Sequence, residues 1–311
     1  MKKKIAVYST ICLQLSAISL FMGCAKEQTT NVQTTSNATS QSNIAADDVT
    51  LNNELDQFAD EALAVICNKK VSIHGATIDT SQFNLGVITI YYSGKEADGT
   101  KSRSGSDSIH LSGNWGTPGS TASITLGCVN SPGYEITFLN GNTSLRLNGT
   151  ATLTNISGGY YQNLVSGDSL VENIAGSLEF TFNDNTASIV YYPFNVNAIR
   201  TFTKPDSISA TTRGNATVGG YSQVASWGTD RFGNTYYSSI TANVVQNISI
   251  ATLSYNPLSG MKNIEGISEP IQCTYGVNSA GNAITSGTPY GLSISWINNG
   301  GSATAVIPYY Y

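Results

Sequence analysis

Cys24 stands in the setting most specific for chemistry. It closes Leu20-Phe21-Met22-Gly23-Cys24, directly after the largely apolar, uncharged run Ile5–Met22 that Lys2, Lys3 and Lys4 precede. A basic start, an apolar stretch and a small residue at the cut are the parts of a secretory signal. A cysteine after the small residue adds a reaction. The thiol takes up a diacylglycerol, and cleavage leaves Cys24 as the first residue of the mature chain. At about 0.8 kcal/mol per buried CH₂, two or three acyl chains hold a protein to a membrane where one does not. Phe21 and Met22 depart from the leucine and small residue usual at those two places. The alternative is an uncleaved spanning helix, since spanning takes roughly 17–25 residues.

Other residues offer weaker chemistry. His74 and His110 are the chain's two histidines, and strand alternation puts both on a solvated side. A general base needs a positioned partner, which neither has in the sequence. Glu135, Asp168, Glu172, Glu179 and Asp184 could supply a carboxylate pair of the kind that hydrolyses glycosides. Acids on strand faces are more often simply solvated. Asp98, Asp107 and Asp230 lie in Gly-rich polar segments, but no D-x-D-x-D-G loop is present, so acids bonding locally in turns are expected rather than calcium. There is no C-x-x-C, G-x-S-x-G, H-E-x-x-H or P-loop. No metal, cofactor or catalytic residue is therefore assigned. Arg103 is expected to pair with Asp98 or Asp107 and fix a hairpin turn. Most aromatics should fill a core or cross-strand pairs. Trp115 and Trp227 are the candidates for contact with a ligand, Trp115 because it sits in a turn with Gly116 and Pro118.

The elements that must position these residues are mostly strands. Removing residues 1–23 from 311 leaves 288, ample for a sizeable core. The three signal lysines leave with that segment, so 12 bases face 20 acids, a formal balance of −8 with no basic cluster. Nucleic acid is excluded as a partner on that ground. Charged residues are only 11% of the chain, against roughly 25% in ordinary domains. Residues 24–48 are rich in Thr, Asn, Ser and Gln and are expected to form a disordered tether. Leu51, Leu55, Phe58, Ala62 and Val65 then fall at helical spacing, with Asn52, Glu54, Asp56, Asp60 and Glu61 on the other face. One amphipathic helix packed on a sheet is expected there.

From residue 71 the period becomes two. Ile109 and Leu111, Leu145 and Leu147, Leu178, Phe180 and Phe182, and Leu292, Ile294 and Trp296 each alternate with polar residues. Clusters such as Gly116-Thr117-Pro118-Gly119 and Asn298-Asn299-Gly300-Gly301 separate them. The fold class expected is mainly β, with antiparallel, sandwich-like sheets and one N-terminal helix. Strand, glycine turn and strand recur at Tyr92–Leu111 and Trp227–Val244. The chain thus reads either as two similar β-modules, 49–197 and 198–311, or as one continuous domain. Cys12 leaves with the signal and Cys24 takes lipid, so Cys67, Cys128 and Cys273 allow one disulfide in any of three pairings.

Val87–Tyr92, then Asp98-Gly99-Thr100-Lys101-Ser102-Arg103-Ser104-Gly105, a further strand, and Pro118-Gly119-Ser120 form a diffuse pattern. With Gly228–Asn234 and Ser295–Asn299 it resembles uncharacterised β-rich lipoproteins of the Bacteroidota. The Asp98–Gly105 turn is one residue longer than in that pattern, and the terminal segment lacks its Cys and Asp. Relaxed sites around the lipidated cysteine occur in that group. The resemblance implies a β-rich lipoprotein of the cell envelope and no particular activity; an outer-membrane anchor, with the protein facing the periplasm or the cell surface, is expected. Asp107-Ser108-Ile109, Asp168-Ser169-Leu170 and Asp206-Ser207-Ile208 resemble that group's O-glycosylation motif, making Ser108, Ser169 and Ser207 candidate acceptors. The function expected first is a non-catalytic envelope lipoprotein with a binding or structural role, its partners being the membrane and a glycan or protein ligand. A carbohydrate-binding accessory protein is the alternative, and a glycoside hydrolase-like enzyme comes third.

Overall fold

The alternating rows assemble into a single antiparallel sheet. The computed structural model describes residues 34–68, 71–96, 99–127, 133–138, 143–160, 163–183, 190–204, 208–247, 256–298 and 300–309. Helix α1 (Thr34–Cys67) comes first. The strands of the first half are β1 (Ala76–Asp79), β2 (Val87–Lys95), β3 (Lys101–Ser112), β4 (Thr121–Leu126), β5 (Tyr134–Phe138), β6 (Thr143–Asn155) and β7 (Ser169–Asn183). Then come β8 (Tyr192–Thr203), β9 (Ser209–Gly214), β10 (Ala216–Val218), β11 (Tyr221–Thr229) and β12 (Thr235–Asn247). The chain ends with β13 (Ser259–Glu265), β14 (Ile271–Val277), β15 (Gly291–Asn298) and β16 (Gly301–Pro308). The expected class, mainly β and antiparallel with one N-terminal helix, is the one observed.

The sheet runs β1-β2-β3-β4-β6-β7-β8-β11-β12-β13-β14-β15-β16, with β1 and β16 at its edges. Each half has one place where two short strands share a position between two long ones. Between β3 and β6, β4 fills one end and β5 the other. Between β8 and β12, β11 and β9 do the same. Backbones converge where the short strands meet, and there the chain uses glycine. A Cβ on Gly105, whose φ is +104°, would lie 2.4 Å from the Gly133 carbonyl oxygen; one on Gly214 would lie 1.8 Å from that of Gln223. The halves therefore share a device without being separable. Residues 37–311 form one compact unit, and the boundary expected at 197/198 cuts through β8. That strand pairs with β7 on one side and with β9 and β11 on the other, so hydrogen bonds cross the proposed division.

The helix departs most from expectation. Of the tether placed at 24–48, residues 24–33 lie outside the described residues, but from Thr34 the chain is helical. Ile44, Ala45 and Val49 are buried, and the Gln41 side-chain amide donates to the Glu269 backbone carbonyl at 3.0 Å. Local composition gave the wrong answer because these small and polar side chains are ordered by the sheet rather than by each other. Nor is the helix amphipathic in its surroundings. Leu51, Leu55, Phe58 and Val65 are buried as expected, but so are Glu54, Asp56, Asp60 and Glu61, which were expected to face away from the sheet. The sheet folds over both faces, giving a sandwich-like body with α1 inside. Among the described residues no helix is long and apolar enough to cross a membrane.

Ala45 distinguishes an inserted helix from a tether. It has 0% exposure. Ala45→Asp places an unpaired charge there, and urea denaturation should show a loss of roughly 3 kcal/mol or more. A tether would lose less than about 0.5 kcal/mol, the usual cost of a surface substitution.

Candidate functional site

The densest chemistry lies inside, between α1 and the sheet. Asp47, Glu54 and Glu61 are seven residues apart, close to two helical turns, and form one stripe. Asp48, Asp56 and Asp60 lie on the other side of the helix. All six acids meet a base from the sheet or its turns. Glu61 accepts two 2.8 Å bonds from Arg103 Nη1. Glu54 accepts from Lys101 Nζ at 2.5 Å. Arg200 Nη2 donates to Asp60 at 2.6 Å, and its Nε lies 3.6 Å from Asp56. Lys262 Nζ donates to Asp48 at 3.2 Å, and Ser226 and Ser238 donate to the same carboxylate. Arg231 Nε donates to Asp47 at 2.6 Å while its guanidinium covers the Phe182 ring.

Acids from the sheet join these pairs. Arg103 Nε is 3.1 Å from Glu96, and its guanidinium stacks over Tyr92. Tyr92 Oη lies between two carboxylates, Glu61 at 2.8 Å and Asp107 at 3.1 Å. Glu172 accepts from Arg200 Nη1 at 3.1 Å. Arg200 thus faces three carboxylates, and Lys101 with Arg103 faces three more, Glu54, Glu61 and Glu96, with Asp107 reached through Tyr92. Such an excess of buried negative charge favours protons. Burial raises Asp60 to about 6 despite Arg200, with Asp56 and Glu61 adding to the rise. Burial also pushes Glu172 to about 8, as it does Asp107, where the Glu61 charge adds to the effect. Asp47 is raised to about 6 by burial against the pull of Arg231. Arg200 itself, though burial opposes its charge, is held above its ordinary value by Asp60, Asp56 and Glu172. Arg103, Arg200 and Lys262 are closed off from solvent with their acids, whereas Lys101 and Arg231 keep 22% and 26% of their side chains exposed.

The sequence candidates are distributed differently. Arg103 pairs with Glu61 of α1 and also with Glu96 at the start of the β2–β3 turn. Asp107 faces inward with it, while Asp98 lies outside the described residues. His74 and His110 are exposed, as alternation implied; the His74 Nδ1 contacts the Lys95 carbonyl and His110 Nε2 the Ser108 hydroxyl. Glu135 is paired with Arg146 at 2.7 Å, Asp168 and Glu179 are exposed, Glu172 is interior, and Asp184 lies outside the described residues. Asp230 accepts from the backbone N–H groups of Phe232 and Asn234, the local turn bonding expected of it. Among the described residues no group of three or more metal-ligating side chains forms.

Of the candidate acceptors, Ser169 is exposed beside exposed Asp168, whereas Ser108 is half-buried and its neighbour Asp107 is committed to the interior. Ser207 and Cys128 lie outside the described residues, as does Cys24. Cys67 is half-buried at the end of α1; Cys273 is a free thiol in the core, and burial raises its pKa.

Trp115 corrects an expectation. It is 3% exposed, not displayed by its turn. The Trp115 carbonyl accepts from Ser120 Oγ and Asn155 Nδ2, and the Gly159 N–H bonds to the Gly116 carbonyl, so the 155–160 segment folds the turn inward. There it helps line an uncharged cleft of about 510 Å³ with Ile66, Phe83, Leu85 and Tyr160. Trp227 is half-buried on the outward face. It stands opposite Tyr237 in register, whose ring is 5.2 Å from that of Tyr221.

The interior acids have a testable consequence. Their folded pKa values are raised, so between about pH 4 and 8 the folded chain binds more protons than the unfolded chain. Stability from these groups is fully present below their ordinary values and is lost as pH rises through about 6 and then about 8. The urea midpoint should fall from pH 5 to pH 8, and Glu172→Gln should flatten the slope. A midpoint that climbs over this range would contradict the assignment.

No protein-family model, curated protein or solved structure matches the chain, so its function must be approached from this geometry and from the N-terminal sequence.

Proposed function

We propose that the chain is a non-catalytic lipoprotein of the cell envelope, held to the outer membrane through lipid on Cys24, with a binding or structural role. The observation that carries the non-catalytic part is the use made of the charged groups. The acids of α1, with Lys101, Arg103, Arg200 and Lys262, serve to seat one element inside another. Arg103, Arg200 and Lys262, none with more than 5% of its side chain exposed, are out of reach of a substrate. The anchoring part is supported by Lys2–Lys4, the apolar run and Gly23-Cys24, and by the resemblance to lipoproteins of the Bacteroidota.

A second reading, a carbohydrate-binding accessory protein, is favoured by the outward strip of Tyr221, Trp227 and Tyr237. Half-buried rings on a strand face give the flat apolar surface that a sugar ring covers, and exposed patches of this kind mark interaction sites.

Two experiments follow. Cells labelled with an alkyne palmitate analogue should yield a labelled wild-type chain and an unlabelled Cys24→Ala chain; an unlabelled wild type would mean a spanning or simply secreted protein. For the second reading, tryptophan fluorescence should be titrated with neutral gluco-, manno- and xylo-oligosaccharides. Binding weakened about tenfold or more in Trp227→Ala, in the range of a lost stacking contact, would support it. Affinity unchanged in Trp227→Ala would make the strip a packing feature.

A further inference from the structure

The two edges of the sheet are unlike. β1 has four residues and ends in Asp79, whose carboxylate accepts from the Ser81 N–H. A short strand with a charge at its end is a guarded edge. β16 is twice as long, and it pairs with β15 through eight consecutive residues without a bulge. Gly301-Ser302-Ala303-Thr304-Ala305-Val306-Ile307-Pro308 has no charged residue, and its proline is the last residue of the strand. Along an antiparallel strand alternate residues turn both N–H and C=O away from the partner. On that outer side of β16, among the described residues, no backbone hydrogen bond is made. Among the described residues, no charge, bulge or covering segment blunts this edge, and its one proline stands at the very end.

We propose that β16 is a homodimer interface, pairing antiparallel with β16 of a second copy to continue the sheet across a two-fold axis. Three features favour a second copy over another partner. An antiparallel strand pair is self-complementary, as a two-fold interface must be. An uncharged strand can lie against itself with no like charges opposed. The inner row, Ala303, Ala305 and Ile307, is apolar and only partly covered at its two alanines, so a neighbouring strand would complete the core layer.

The register follows as well. Inward residues must meet inward residues, and Pro308 has no N–H to offer, so pairing centres on Thr304. Thr304 then opposes its own copy, Ser302 opposes Val306, and Ala303 opposes Ala305. The contact is one strand wide, small for a protein interface, so association should be concentration-dependent.

The test uses the full processed chain in mild detergent, with its protein mass measured by light scattering between about 1 and 100 µM, a range that spans weak association. Wild type should pass from monomer to dimer with concentration. Thr304 and Ser302 are exposed, so Thr304→Lys and Ser302→Glu should each fold with unchanged circular dichroism. Thr304→Lys should stay monomeric across the range, and mixing it with Thr304→Glu should restore a dimer. Ser302→Glu, which faces Val306 rather than a copy of itself, should weaken association less. A wild type that stays monomeric at the highest concentration would overturn the proposal. So would a dimer indifferent to Thr304→Lys, or growth beyond the dimer, which a closed two-fold contact forbids.

Discussion

Everything in this structure depends on neutralising the acids of α1 once they leave water. Six carboxylates on one helix are taken into the interior, and each would cost several kcal/mol without a partner. Lys101, Arg103, Arg200, Arg231 and Lys262 supply the partners from four separated places in the sheet and its turns. An apolar helix surrounded by apolar strands could slide or rotate by a turn at modest cost. A helix with acids on two opposed sides, each matched to a base, has one favourable rotation and one axial position. The ion pairs are therefore better understood as locators than as the source of stability. Stability comes from the apolar side chains around them, such as Phe58, Phe180, Phe194 and Phe202, all essentially inaccessible to water.

The sheet is shaped to that end. It is a long run of antiparallel neighbours, so the chain needs no distant crossover to build it, and the shared positions at β4/β5 and β9/β11 sit one in each half. Closely approaching backbones at Gly105 and Gly214 allow short strands to meet between long ones. The body that results encloses α1 rather than supporting it from one side, which is why the second helical face is dry.

Much of the architecture could be read from alternation. The rows containing Ile109, Leu145, Phe180 and Ile294 do face inward, and both histidines face out. The interior charges were legible in principle by the same parity. Arg200 falls in the row Phe194, Val196, Ala198, Phe202; Glu172 falls between Leu170 and Ile174; Lys262 precedes Ile264 by two. A charge in an apolar row reads as an exception only until its opposite is found on the helix, 140 residues away for Arg200 and Asp60. The helical order of residues 34–48 is hidden for a related reason, because it is conferred from outside the segment. The burial of Trp115 is hidden because a turn composition says where the chain bends and nothing of what folds over it.

The acids whose pKa values burial raises to about 6 and about 8, Asp47, Asp60, Asp107 and Glu172, all belong to the network around the seated helix. Hydrogen exchange measured in the native state tests that arrangement most directly. If α1 is locked within the sheet, the amides of Ala45–Ile66 can open only when the sheet opens. They should then exchange with the same opening free energy as the central pairs of β6 and β7. Faster exchange of the helix through an opening of its own, with β6 and β7 still protected, would show that the helix is only docked and that the ion pairs do not fix it.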